Sequence, residues 1–197
     1  MNAGKLNERI EIKILQNCGT SFWWEPIESV WACAEIQKGK NLFSTVGIGV
    51  VGVKLTTRFR PISLHNAISW NGKHCFLTSV QEIDRMYCEI QAAMIEPVNC
   101  IAVRKPESKD KYNRPVQTGV ETVIAKFPGC LTEKYLGHQN ETPESRIKST
   151  LVLVTPKPVV ITPGDLVRIA EKPYVVQVGH ILDPYKNEYE ITFVEDV

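Results

Sequence analysis

Between Val53 and Met94 the chain reads VKLTTRFRPISLHNAISWNGKHCFLTSVQEIDRMYCEIQAAM, and the pair Asn71-Gly72 decides how that stretch folds. Asn-Gly suits the two central positions of a type I′ turn, because both need positive φ and these residues tolerate it best. On either side stand Ile68-Ser69-Trp70 and His74-Cys75-Phe76-Leu77-Thr78. Aromatic and β-branched residues flanking such a turn predict a β-hairpin. The stretch therefore reads as a strand Val53–Arg60, a break at Pro61, the hairpin, and a last strand Tyr87–Met94.

Working outward, Leu6 to Leu15 alternates: Arg9, Glu11 and Lys13 face one way and Ile10, Ile12 and Ile14 the other. A period of two predicts a strand with one wet and one buried face. Asn17 to Ser21 reads as a turn. Phe22 to Trp24 and Val30 to Ile36 follow as strand-like segments, and Pro26 between them predicts an interruption. Downstream, strands are expected over Asn99–Val103, Val116–Phe127, Thr150–Thr155, Leu166–Ile169, Tyr174–Val178 and Tyr189–Val194. A short helix is expected at Thr142-Pro143-Glu144, where Thr suits the cap and Pro the first turn.

With an offset of 98, Ile68 falls on Leu166, Phe76 on Tyr174 and Val80 on Val178. After a gap, Glu89-Ile90 falls on Glu190-Ile191. The expectation is an all-β protein of two small antiparallel barrels or sandwiches in tandem, residues 1–98 and 99–197, related by a degenerate duplication. Two unrelated β domains, or one larger sandwich, are the alternatives.

Residues 1–98 carry ten Lys and Arg against nine Asp and Glu, and residues 99–197 thirteen against thirteen. Neither half has the basic excess that drives avid, unspecific nucleic-acid binding. The six cysteines form no CxxC pair, and three of them (Cys33, Cys75, Cys88) lie in apolar runs, so reduced structural thiols are expected. No stretch suggests a signal peptide or a membrane span. There is no Gly-x-Ser-x-Gly elbow, phosphate-binding loop or His-Glu-x-x-His. Gly47-Ile48-Gly49 opens a GxG pattern, but no helix-forming segment follows it. The four histidines (His65, His74, His138, His180) read as surface or hairpin residues, and Asp165 as a turn aspartate. No catalytic residue, metal ligand or cofactor is expected, and the chain reads as a non-enzyme.

One segment stands out, Gln37 to Gly52 (QKGKNLFSTVGIGVVG), whose apolar residues follow neither period. It reads as a long loop, as a segment ordered by a partner, or as a glycine-tolerant edge strand. Lys38 and Lys40 flank its start, and Arg58 and Arg60 follow it. Taken alone these cations read as a solvated surface; grouped around one loop, they could face the phosphates of DNA.

The order of several features resembles a known family. Gly4-Lys5-Leu6, Arg9-Ile10 and Ile12 come first, then Val30-Trp31-Ala32 and Ile36. The long Gly-containing loop, Arg58 with Arg60, and Trp70-Asn71-Gly72-Lys73 ahead of Phe76 complete the series. Over about residues 1–96 this series is similar to the head–tail joining proteins of tailed bacteriophages, also called head-completion or stopper proteins. The resemblance implies a small β-barrel that assembles in the host cytoplasm into a virion ring, typically a hexamer. The ring would lie between the portal or its adaptor and the tail terminator or tail tube, with packaged double-stranded DNA in its channel and no membrane partner. By position it implies a channel loop containing Lys38, Gly39, Lys40, Asn41, Leu42, Phe43, Gly47 and Gly49. Residues 99–197 exceed the family's usual single barrel. A tail terminator or neck–tail adaptor is the second reading. A nucleic-acid-binding barrel using Arg58 and Arg60 with Phe59 and Trp70 as a stacking platform is the third.

Overall fold

The computed structural model describes residues 3–37, 51–105, 107–109, 112, 115–117, 120–138 and 147–194. The channel-loop candidates Lys38 to Gly49 and the expected helix at Thr142-Pro143-Glu144 lie outside them. Apart from a 3₁₀ turn at Ala3–Lys5, the regular structure of the described residues is all strand. Contacts divide the chain into two units, Met1–Gln16 with Trp23–Pro97 and Thr132–Ser149, and Asn17–Phe22 with Val98–Leu131 and Thr150–Val197.

The first unit is built on β1 (Glu8–Cys18), β2 (Ser21–Gln37), β3 (Val51–Arg58), β4 (Ala67–Trp70), β5 (Lys73–Ile83) and β6 (Tyr87–Met94). They pair in the order β1-β4-β5-β6-β3-β2, and β2 returns to β1, closing a six-stranded antiparallel barrel. Closure removes the exposed edges that an open sheet would leave. The alternation in β1 sends Ile10 and Ile12 inward, where they pair with Trp70 and Ile68 of β4. Val30, Ala32, Val53, Leu55, Cys75, Leu77, Ile90 and Ala92 fill the rest of the interior. Asn71 and Gly72 take φ of 50° and 73°, as the type I′ turn requires.

Two expectations about this unit change. β2 runs unbroken through Pro26. Its pairing with β3 starts only at Ala32, so the missing N–H of Pro26 costs no bond to β3. β3 ends at Arg58 rather than Arg60; there the Phe59 amide turns to donate to Met86 O at 2.8 Å.

The second unit uses β7 (Val98–Arg104), β10 (Thr122–His138) up to Leu131, β11 (Ile147–Pro156) from Thr150, β12 (Leu166–Ile169), β13 (Lys172–His180) and β14 (Lys186–Phe193). A separate hairpin of β8 (Glu107–Lys109) and β9 (Pro115–Gln117) lies between β7 and β10 in sequence. The order β7-β12-β13-β14-β11-β10 also closes on itself through a β10–β7 pairing. Its interior holds Cys100, Ala102, Ala125, Phe127, Leu153, Val159, Ile161, Val167, Ile169, Val176, Tyr189 and Ile191.

The two barrels share one strand order, with β1 to β6 answering to β7, β10, β11, β12, β13 and β14. From the turn before β4 to the end of β6 the offset is 99, not 98. Asn71-Gly72 answers to Ala170-Glu171, which take φ of 47° and 68° despite lacking glycine. The β-bulge between Leu77 and Ser79 recurs between Val176 and Val178, opposite Gln91-Ala92 in one barrel and Glu190-Ile191 in the other. Even the turn ahead of β4 repeats. Ser63 N and Oγ donate to Asn66 Oδ1 at 2.9 and 3.2 Å, and Thr162 N and Oγ1 both donate to Asp165 Oδ2 at 2.8 Å. The sequence offset of 98 fails for a physical reason: along a strand, a slip of one residue exchanges the two faces. Ile68, fully buried, answers to fully buried Val167 and not to the half-buried Leu166.

All six cysteines are free; Cys75, Cys88, Cys100 and Cys130 are buried, Cys33 is half-buried and Cys18 exposed. Burial pushes the Cys75 thiol up to about 11 and the Cys100 thiol up to about 12, so both are inert core residues at neutral pH.

Gly129 sits in close packing within the second barrel. A Cβ there would come within 2.7 Å of Leu153 Cδ1 and 3.0 Å of Cys100 Sγ. Both neighbours are buried, so neither has open space to move into. Gly129→Ala is expected to cost roughly 1–3 kcal/mol through overpacking, measured as a lower denaturant midpoint with an unchanged slope.

Candidate functional site

The first barrel has a groove of about 590 Å³ at one end, lined by Leu6, Asn7, Ser29, Val30, Trp31, Thr57, Arg58 and Arg60. Each is there for a sequence reason. Val30 and Ala32 point into the barrel, so the pleat turns Trp31 outward, and it is 52% exposed. Thr57 is the last buried residue of β3, and its Oγ1 donates to Trp31 O at 3.1 Å. Arg58, next along, points out.

The groove's electrostatics are uneven. Arg9 Cζ lies 5.0 Å from the Trp31 ring centroid, a cation–π contact that holds the indole in place. Arg60 Nε donates to Glu28 Oε1 at 3.1 Å, and its Nη1 to Phe59 O at 3.1 Å. The Arg58 side chain has no hydrogen-bond or ion-pair partner among the described residues. One guanidinium thus faces the groove uncompensated, beside an apolar floor of Leu6, Val30 and Trp31.

The second barrel treats the same position differently. Arg60 O lies 3.5 Å from Cys88 Sγ; at an offset of 99, Val159 O accepts from Asn187 Nδ2 at 2.9 Å. The backbone is thus tied down alike in both barrels. Val159, however, is fully buried in its core, and Tyr189 OH and Thr155 Oγ1 lie 3.3 and 3.4 Å from its carbonyl oxygen. Where the second barrel closes over a valine, the first presents Arg60 to a groove.

Of the residues singled out from sequence, Arg58 and Arg60 meet at this groove. Lys38, Gly39, Lys40, Asn41, Leu42, Phe43, Gly47 and Gly49 lie outside the described residues. Phe59 is 47% exposed. Trp70 cannot serve as a stacking surface: it is buried in the barrel, with Nε1 donating to Glu8 Oε2 at 3.4 Å. Trp31 takes the exposed position instead, and the signal for it was its place between the inward-facing Val30 and Ala32.

Two titratable residues keep the places read from sequence, His74 in the hairpin and Asp165 in the turn before β12, and both are buried there. His74 is buried against Trp24, with ring centroids 5.7 Å apart. Asp165 is buried and ion-paired with Arg104 at 2.6 Å. Among the described residues no three His, Cys, Asp or Glu side chains come together as a metal site, and no helix is long and apolar enough to cross a membrane. Comparison with protein-family models, curated proteins and solved structures finds no match.

Proposed function

We propose that this chain is a structural protein of a bacteriophage neck. In this reading it forms a ring below the portal, helps retain packaged DNA and offers a platform for the tail. The sequence resemblance over residues 1–96 supplies the reading, and one feature of the fold gives it physical support. Trp23, Ile27 and Trp31 lie four residues apart on β2 and are 43%, 55% and 52% exposed. Side chains an even number apart on a strand share a face, so β2 presents these three large apolar side chains outward with Glu25 and Ser29 between them, a mixed face of the kind a neighbouring subunit covers.

The channel role assigned to Lys38 through Gly49 is tested by a replacement that spares the barrel. Gln37 pairs with Gly52, so substituting Asn-Gly for residues 39–50 lets Lys38 and Val51 continue the ladder into a two-residue turn. The variant is expected to fold with an unchanged circular dichroism spectrum and to join particles, while filled heads lose their DNA on storage. Full retention of genome by such particles would end the plug role.

A further inference from the structure

We propose that the groove of the first barrel is a docking site for an extended protein segment carrying a carboxylate beside an apolar or aromatic side chain. The floor of Leu6, Val30 and Trp31 supplies the apolar half of that recognition. Arg58 supplies the polar half, since a free guanidinium binds a carboxylate through two parallel hydrogen bonds. Trp31 is fixed before any ligand arrives, by Arg9 on its ring and by Thr57 at its carbonyl. Pre-ordering of this kind lowers the entropy cost of binding, and Trp and Arg are among the residues enriched in interface hot spots.

The two barrels strengthen the assignment. They share strand order, turns and bulge, yet the position that holds buried Val159 in one holds Arg60 at the groove rim in the other. A valine there serves the core; Arg60 instead lines the groove, ion-paired with Glu28.

Charge decides between a peptide and a nucleic acid. Affinity for a polyanion grows with the number of phosphates neutralised. Here Arg60 already has Glu28, and the chain's net charge is only +1. Arg9 is taken up by the Trp31 ring, which leaves Arg58 as the groove cation without a side-chain partner among the described residues, a match for a single carboxylate beside the apolar floor. The partner's identity as an assembly protein rests on the neck reading; the chemistry of the groove does not.

The test uses the purified full chain and a yeast-displayed library of random heptapeptides. The expected result is an enriched family with Asp or Glu adjacent to Phe, Leu or Trp. In calorimetric titrations of the best peptide, Arg58→Gln weakens binding roughly ten- to hundredfold. Asp→Asn in the peptide does the same, and the two changes together cost little more than either alone. Arg58→Lys falls between, because it keeps the charge and loses the fork. Arg58 is exposed, so these variants keep the parent's thermal midpoint. Three results would overturn the inference: no enriched family, an enriched family without carboxylates, or tighter binding of a twelve-residue oligothymidylate with a steep salt dependence. A chain found at the neck that binds no such peptide sinks this inference alone.

Discussion

Arg104→Met is expected to destabilise the second barrel by about 3 kcal/mol, the low end of the cost of breaking a buried ion pair. The reason lies with Asp165, which is only 3% exposed. Arg104 grips it with both arms of the fork, Nε to Oδ1 at 2.6 Å and Nη2 to Oδ2 at 2.7 Å. Burial alone would raise the Asp165 pKa. The hydrogen bond from Arg104, with those from the Thr162 amide and hydroxyl, outweighs it and holds the carboxyl below its ordinary 3.8. Without Arg104 a nearly buried carboxylate keeps only the two Thr162 bonds. Arg104 is half exposed itself, and water screening keeps the cost from being larger.

The repeat supplies the control. Asn66 occupies the corresponding turn in the first barrel, takes the same bonds from Ser63, and donates through Nδ2 to Lys13 O at 3.3 Å. A neutral side chain therefore suffices at this position. Arg104→Met with Asp165→Asn is expected to recover most of the loss, since no buried charge remains. Urea unfolding of the parent, single and double variants measures it; a single variant within 0.5 kcal/mol of the parent at pH 7 would show the pair to be idle. The pH dependence has a definite sign. With its folded pKa depressed, Asp165 stabilises above 3.8 and loses that contribution as pH falls through the folded value. In Arg104→Met the folded pKa rises, so this acid-side loss shrinks.

The second large effect belongs to His74 in the first barrel. Burial lowers its pKa, the charge of Lys13 lowers it further and Glu96 opposes them, giving about 4 against an ordinary 6.5. Folded His74 stays neutral while the unfolded chain takes up a proton below about 6.5. Between those values the unfolded state binds more protons, so stability falls with pH, by about 3 kcal/mol in total. Below about 4 both states are protonated and the term is constant. Denaturant midpoints for the first barrel are expected to drop between pH 7.5 and 4.5. His74→Phe keeps the ring contact with Trp24 and is expected to flatten that drop. An equal slope in both proteins would remove His74 from the account.

The fold class was legible because β1 alternates cleanly and Asn71-Gly72 admits one turn type. The repeat was legible as a pattern but not in register. Ala170-Glu171 carries no turn signature in its residue types, and tertiary pairing forces φ of 47° and 68° on it. Without that anchor the alignment slipped by one, which on a strand exchanges inside for outside. The burial of His74, Trp70 and Asp165 was not legible, for a related cause. Each is a polar or amphipathic residue whose burial depends on a distant partner or neighbour: Trp24 for His74, Glu8 for Trp70, Arg104 for Asp165. Local sequence carries no trace of those contacts. Arg58 and Arg60 were chosen for their charge, and Trp31 beside them becomes a site residue only once β1, β2 and β3 meet at one end of the barrel.

The central proposal is that this chain builds a ring at a phage neck. On that proposal the chain is a phage product, and the most direct measurement is electron microscopy of that phage's purified virions, with the chain carrying a small gold-binding tag. The account predicts a single cluster of label at the head–tail junction of each particle. Virions without label, or label spread over the capsid or along the tail, would contradict it.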